Sequence, residues 1–519
     1  MMSIKEFDQL KNDFIRFSQN SFKEKLFFVL ILIFFILFFI PSMTRSLWID
    51  ETITYWVIKD GLRDLFYRVI HFQGQSPFYY LIVWCFIQVL GHTEWVLRLP
   101  SLISLIVACI FLYKLGLLFF NREGGLILAL GFISLWALVG QLSGGGCSAR
   151  PYELAVMLSI LSVFCFVLWI KTGQTRHQLT YILASAATCY AHILFAPILF
   201  VHFCYFLINI KNGSKVSFSK LFLTFGLVVV CLLPNAYQLM LLIKKKGLLS
   251  IPTIPSMINL IYAWFPLGVF IPLIAAFLIT RIIEKKMYWR KTAFISKPFL
   301  FFLIWFFFPA LFWFVTSIIS GNSLFLYRYF CWSSSAVALV IASIIIAMEP
   351  ERARIIAVVA FSMLFILGSI VSPKPLEDWR AATDYINVNN TSNNRPVLAW
   401  PGLMEQRDWE WSKKPDNRDY LLAPFSFYPV GKKAILLPLL PKGLKLEALL
   451  GEHNISLKNK KDEIILIARD IPVKERTMPK AQAGQNILEN WLRRNGFSII
   501  QKKYFGGVVV SQFAFNPDT

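Results

Sequence analysis

Acidic side chains are scarce in the first two thirds of this 519-residue chain, and their distribution is uneven. Between residues 26 and 348 there are eight, and four of them, Asp50, Glu51, Asp60 and Asp64, fall in the stretch 44–76 beside Arg45, Arg63, Arg68 and His71. Asp50-Glu51 follows the first long apolar run by about two helical turns. A charge at the centre of a bilayer costs about 2.5–3.5 kcal/mol on insertion scales, so carboxylates near its edge call for a reason. Two readings fit. Either the acids are solvated and balance Arg45 and Arg63, or a carboxylate acts as a base beside cations that receive an anion. Further groups of the right kind lie downstream: Arg150 with Tyr152 and Glu153, then His192, then Arg328. Arg150 and Arg328 also suit helix ends, where arginines snorkel or bond carbonyls. His192 also suits a core position, and Arg98 is expected to pair with Glu94 at i, i+4 and hold a helix end.

The elements that carry these residues are apolar helices. The chain is 56% hydrophobic and 16% charged, with 49 Phe and a net charge of +22. Ordinary soluble domains are ~45–50% apolar and ~25% charged, so a long soluble enzyme and a disordered chain are both excluded. Residues 26–43 carry no charge and follow 25 residues of mixed sign without a small-residue cleavage site, which reads as a retained first span. Further apolar runs occupy 97–119, 125–143, 153–170, 180–209, 221–243, 256–280, 298–319, 332–348 and 354–371, with a shorter one at 77–90. These imply a polytopic α-helical membrane protein of eleven or twelve spans, because helices satisfy their own backbone in lipid. The 180–209 run is too long for one ordinary span and reads as two short helices meeting at His192. Leu62, Leu65, Phe66, Val69 and Ile70 recur at helical spacing and predict an interfacial helix within the 44–76 loop.

Charge divides at residue 371. Residues 1–371 hold 30 Lys and Arg against 14 Asp and Glu, and many of the cations sit in short loops such as 281–297 and 352–354. The positive-inside rule makes those loops and the N-terminus cytoplasmic, with 44–76 and the tail on the outer, periplasmic side. Lys244-Lys245-Lys246 fits that count poorly, reading either as a contact for carrier phosphate or as a miscounted span. Residues 372–519 have loop punctuation, a predicted helix at 378–387 and β-like runs such as EIILIA and GVVVSQFAF, which predict an extramembrane α/β or α+β domain. Trp400, Trp409, Trp411 and Tyr420 there suit either sugar stacking or a core. The eight cysteines lie in the spans without metal spacing and read as small apolar residues.

Several short motifs occur in order. Trp48-Ile49-Asp50-Glu51 follows the first span; then come Gln75-Ser76-Pro77-Phe78-Tyr79, Leu97-Arg98-Leu99-Pro100-Ser101, Ala149-Arg150-Pro151-Tyr152, Tyr190-Ala191-His192, Tyr327-Arg328-Tyr329 and Asp378-Trp379-Arg380-Ala381-Ala382. Together they resemble the C-type (GT-C) glycosyltransferase superfamily, in particular bacterial relatives of the dolichyl-phosphate-mannose protein mannosyltransferases and the lipid A aminoarabinose transferases. The match departs at two places: Gln75 and Ser76 stand where His and Pro are usual, and Ser148 where an acid precedes Ala-Arg-Pro-Tyr, with Glu153 following.

The resemblance implies a GT-C transmembrane module over 1–371 with an extracytoplasmic domain over 372–519, in a bacterial inner membrane. It implies inverting transfer of a hexosyl or pentosyl group from a polyprenyl-phosphate donor to a lipid, glycan or protein acceptor. Asp50 is then the expected general base with Glu51 in support. Arg63, Arg68, His71, Arg150, His192 and Arg328 are the candidates for donor phosphate, and Tyr152 and Glu153 for the acceptor or second motif. The metal ligands are unassigned, and a divalent ion (Mg2+ or Mn2+) is the one cofactor left open. A transporter or flippase of a lipid-linked or amphipathic substrate is the alternative, although no paired repeats are evident. Nucleic acid is excluded as a partner, since the tail's charge forms no basic patch.

Overall fold

A computed structural model describes residues 22–515 apart from 74, 143–145, 212, 245–253, 372–376, 391–394, 432–433, 440–462 and 471–487. Lys245 and Lys246 of the lysine run, and Gly144 and Gly145 beside the second motif, lie outside the described residues.

The chain is an integral membrane protein built as a helical bundle followed by a sheet domain. Among the described residues six helices are long and apolar enough to cross a membrane, or seven counting the bent pair Met257–Trp264 and Leu267–Ile283. Helices Arg122–Leu142, Thr175–Ala191 and Glu351–Val371 run with them, and Phe78–Leu90 is a shorter apolar helix. The run 180–209 is broken at His192: Thr175–Ala191 ends there, and a 3-10 turn leads into Ile198–Asn209.

Each helix sorts its residues by face. Along Glu94–Phe119, Arg98, Ser101, Leu105, Ala108 and Leu112 are buried, while Ile103, Ile106 and Ile110 are exposed at spacings of three and four. In water such a stripe would be a liability; against lipid tails it needs no cover. Helix Tyr152–Thr172 is the most enclosed of the candidate spans, with 78% of its apolar window buried, so residues at its start sit inside the bundle. The Glu94–Phe119 and Arg122–Leu142 helices meet closely at Gly116, where a Cβ would stand 2.4 Å from Gly125 Cα. Only glycine permits that approach.

At one end of the bundle the basic loops gather. Strands β1 (Tyr288–Trp289) and β2 (Met348–Glu349) pair antiparallel, tying loop 281–297 to the start of the Glu351 helix. Glu123 accepts from Lys23 Nζ at 3.2 Å and from Arg354 Nε at 2.9 Å, joining the first helix to two others.

At the other end stand helix Ile49–Ile58, helix Leu62–Arg68 and the C-terminal domain. The predicted interfacial stripe divides: Leu65 and Val69 are buried, while Leu62 and Phe66 are exposed. The domain has a five-stranded mixed sheet of β3 (Val397–Trp400), β4 (Ile435–Leu436), β5 (Ile464–Arg469), β6 (Phe497–Phe505) and β7 (Val508–Phe515), in the order β4-β3-β5-β7-β6. β4, β3 and β5 are parallel; β7 and β6 complete it antiparallel. The helix expected at 378–387 spans Trp379–Asn389 and packs on β6 and β7. Trp400 is in the domain's core, and Tyr420 is buried against Trp56 and Phe72 of the 44–76 loop.

Candidate active site

Helix Ile49–Ile58 starts at Trp48, whose backbone N–H donates to Glu51 Oε2 at 3.2 Å. This capping arrangement satisfies one of the orphan donors of a helix start. It also points the two adjacent acids to different fates.

Glu51 is completely buried. Arg98, itself buried, grips it in a fork, with Nε on Oε1 at 2.8 Å and Nη2 on Oε2 at 2.5 Å. The same guanidinium donates to the carbonyls of Ser42, Arg45 and Ser46 at 2.8, 2.6 and 3.0 Å. Glu51 Oε1 also receives the Ala149 N–H at 2.7 Å. The pairing expected between Arg98 and Glu94 is therefore corrected. Arg98 reaches a partner 47 residues away, where a bidentate carboxylate satisfies its buried guanidinium. Glu94 instead meets Arg380 of the C-terminal segment at 3.2 Å. Glu51, expected to assist catalysis, is fully buried and paired with Arg98. It fixes the loop that carries Arg150.

Glu153 is likewise buried and turned inward, accepting from Ser148 N at 3.1 Å and Ser148 Oγ at 3.0 Å. The swap of Ser148 for an acid is thus accommodated locally: Glu153 anchors the segment from within its own helix. Ser101 Oγ braces it from the other side, donating to Ser148 O at 2.6 Å.

Asp50 differs. Its side chain is 20% exposed, and Oδ2 receives Arg328 Nη1 at 3.2 Å. Oδ1 accepts no hydrogen bond among the described residues. Arg150, buried, donates to Asp50 O at 3.2 Å and to Gln73 Oε1 at 3.3 Å. Tyr80 OH reaches Gln73 and Gln75, both at 3.2 Å. Burial disfavours the charge on Arg150, but Tyr80, Asp50 and Tyr152 outweigh it and raise its pKa. The ring of His192 lies 5.4 Å from that of Tyr152 and 5.8 Å from that of Tyr329. Neither ring nitrogen of His192 has a hydrogen-bond partner among the described residues, nor do Arg150 Nε and Arg328 Nε. Buried polar atoms are normally satisfied, and unpartnered donors on two arginines and a histidine in one cluster suit an anion.

The remaining predicted cations lie outside this cluster. Arg68 donates to Trp56 O and to Asp60 Oδ2, both at 2.6 Å, and its guanidinium lies 4.5 Å over the Trp56 ring. These bonds direct its guanidinium to Trp56 and Asp60, away from the Asp50 carboxylate's Arg328 contact. His71 is exposed and bonds Tyr67 O at 2.8 Å. Arg63 is exposed and makes no ion pair among the described residues. The structure brings together Asp50, Arg150, Tyr152, His192 and Arg328, and leaves Arg63, Arg68 and His71 outside that cluster. Gln73 and Tyr80, which sequence reasoning missed, join it; their only signal was adjacency to the Gln75 motif.

Among the described residues no group of three or more His, Cys, Asp or Glu is arranged to hold a metal. Glu51 is saturated by Arg98 and Glu153 by Ser148, which leaves one carboxylate, Asp50, beside two cations.

The model of the dolichyl-phosphate-mannose-protein mannosyltransferase family matches residues 74–237, a stretch that carries Tyr80, Arg98, Arg150 and His192. The crystal structure of ArnT from Cupriavidus metallidurans in the apo state superposes with a TM-score of 0.50 at 11% identity, covering 94% of this chain and 97% of that one. The fold is GT-C. ArnT bound to undecaprenyl phosphate gives 0.49 at 11% identity over the same shares. The Archaeoglobus fulgidus oligosaccharyltransferase tethered to an acceptor peptide gives 0.48 at 12%, covering 89% of this chain and 71% of that one. No curated protein matches by sequence. The likeness in fold agrees with the resemblance drawn from the motifs.

Proposed function

We propose that the protein transfers a sugar, with inversion at the anomeric carbon, from a polyprenyl-phosphate donor to an acceptor hydroxyl at the outer face of a bacterial inner membrane. The observation that carries this reading is the Asp50 carboxylate. It is partly exposed, oriented through one oxygen by Arg328 and unpartnered at the other, beside unsatisfied donors of Arg150, Arg328 and His192. A base and an anion cradle at one site are what the reaction needs.

Asp50 Oδ1 takes the acceptor proton as the acceptor oxygen forms its bond to the anomeric carbon. The bond from that carbon to the phosphate oxygen breaks, and the phosphate keeps the electron pair. Arg150 and Arg328 meet the charge that develops there, and His192 supplies one further donor. The phosphate is already a good leaving group, so no protonating acid is required, unlike in glycoside hydrolysis. The match to the dolichyl-phosphate-mannose-protein mannosyltransferase family model supports a lipid-phosphate donor. The acceptor is a lipid, glycan or protein hydroxyl, and the transferred group a hexose or pentose.

Extraction of lipids from the purified protein, followed by mass spectrometry, should recover a polyprenyl-phosphate sugar. That donor should then be consumed by the wild-type chain and not by Asp50→Asn, with membrane insertion and melting behaviour preserved. Full turnover by Asp50→Asn would remove Asp50 from the reaction.

A further inference from the structure

The Asp50 helix is held at its first residue by a carboxylate from the other domain. Ile49 N–H donates to Glu377 Oε2 at 2.9 Å, across 328 residues of chain. Trp379 Nε1 donates to the same oxygen at 2.8 Å, and Arg469 Nε, at the end of β5, donates to Oε1 at 2.5 Å. Glu377 is itself locked to the sheet: it bridges Gly506, and the next residue, Asp378, donates its N–H to Phe505 O at 3.2 Å. Asp470 N–H donates to Gly507 O at 2.8 Å, closing the same corner. The residues just before the helix are clamped from the same side. Leu47 N–H donates to Tyr428 OH at 2.8 Å, Arg380 Nη2 donates to Thr44 O at 2.8 Å, and Arg380 N–H donates to Ser46 Oγ at 3.1 Å.

The first N–H groups of a helix have no partner within it. Here Trp48 N–H is met by Glu51 of the same helix, whereas Ile49 N–H depends on Glu377. A carboxylate at this end also complements the helix dipole. Asp50 is the next residue, so the direction of its side chain follows the backbone that Glu377 holds. We infer that Glu377 is a positioning residue through which the C-terminal domain sets the aim of the Asp50 carboxylate. Its consequence for turnover rests on the transfer reading; its consequence for the helix does not.

Hydrogen–deuterium exchange on the full-length protein in detergent separates the two. In Glu377→Ala, peptides covering 45–53 should exchange at least fivefold faster, with the rest of the bundle unchanged, and Glu377→Gln, which keeps one carbonyl oxygen, should fall between. Gly507→Ala perturbs the same contact from the sheet while keeping every hydrogen-bonding group, because its Cβ would meet Glu377 Cγ at 3.0 Å. It should quicken exchange at 45–53 about twofold, and it decides the matter if Glu377→Ala does not fold. With the donor recovered from the protein, kcat should fall about tenfold in Glu377→Ala and recover partly in Glu377→Gln, with donor KM within about twofold. Unchanged exchange at 45–53 in the folded variants overturns the proposal, whether or not the wild-type chain transfers sugar.

Discussion

Replacing Arg98 by Met tests whether the buried fork is what holds the loops of the site together. Arg98 and Glu51 are 1% and 0% exposed, so the variant leaves a carboxylate in the protein interior with only the N–H groups of Trp48 and Ala149 for company. Removing one partner of a buried pair costs about 3–5 kcal/mol. The carbonyls of Ser42, Arg45 and Ser46 lose their donor as well, at about 1–3 kcal/mol for each that stays dry. A loss of at least ~4 kcal/mol is expected, a large part of the ~5–15 kcal/mol that folded domains possess. The assay is denaturant unfolding in mild detergent, run as a cycle with Glu51→Met and the double variant. Removing both charges eliminates the orphan carboxylate, so the double variant should be more stable than Arg98→Met by roughly 1–3 kcal/mol. Arg98→Met within about 1 kcal/mol of wild type, or a coupling below ~0.5 kcal/mol, would refute the structural role assigned to the fork.

Two further outcomes are expected. Arg328→Ala and Arg150→Ala should each weaken donor use by about tenfold or more through lost phosphate stabilisation, in line with ~1.5–3 kcal/mol for a hydrogen bond to a charged group, whereas Arg68→Ala should leave it within about twofold; equal losses at all three positions in steady-state kinetics would dissolve the distinction. A cysteine at exposed Glu410 should react with a membrane-impermeant maleimide from outside intact cells; protection there, with labelling only after lysis, would invert the topology.

Much of the site was legible because its parts are rare in their surroundings. In an apolar chain a carboxylate pair after the first span, an Ala-Arg-Pro-Tyr step and a Tyr-Arg-Tyr step each stand out, and the residues that gather around Asp50 come from those motifs. The break at His192 was legible from length alone, since 30 apolar residues exceed one span. Partner choice was less so. Arg98 lies one helical turn from Glu94, and local spacing gives that pair priority, yet the fold brings Glu51 to Arg98 in a two-bond fork and turns Glu94 to Arg380 and Tyr428. Arg68 and His71 looked equivalent to Arg150 because all are cations near an acid. Only the bonds Arg68 makes to Trp56 and Asp60 show that its guanidinium is already engaged.

By itself the sequence determined the material of the protein: helices for lipid, a sheet domain after residue 371, basic short loops, and acids concentrated in the 44–76 loop. Those follow from composition and periodicity, which are local properties of the chain. Tertiary structure decided which acid is free and which is sealed. Asp50 and Glu51 are neighbours of the same chemistry, one helix step apart, so about 100° of rotation sends one toward Arg328 at the opening and the other into the grip of Arg98. That difference depends on contacts 47 and 278 residues away, which no local pattern encodes.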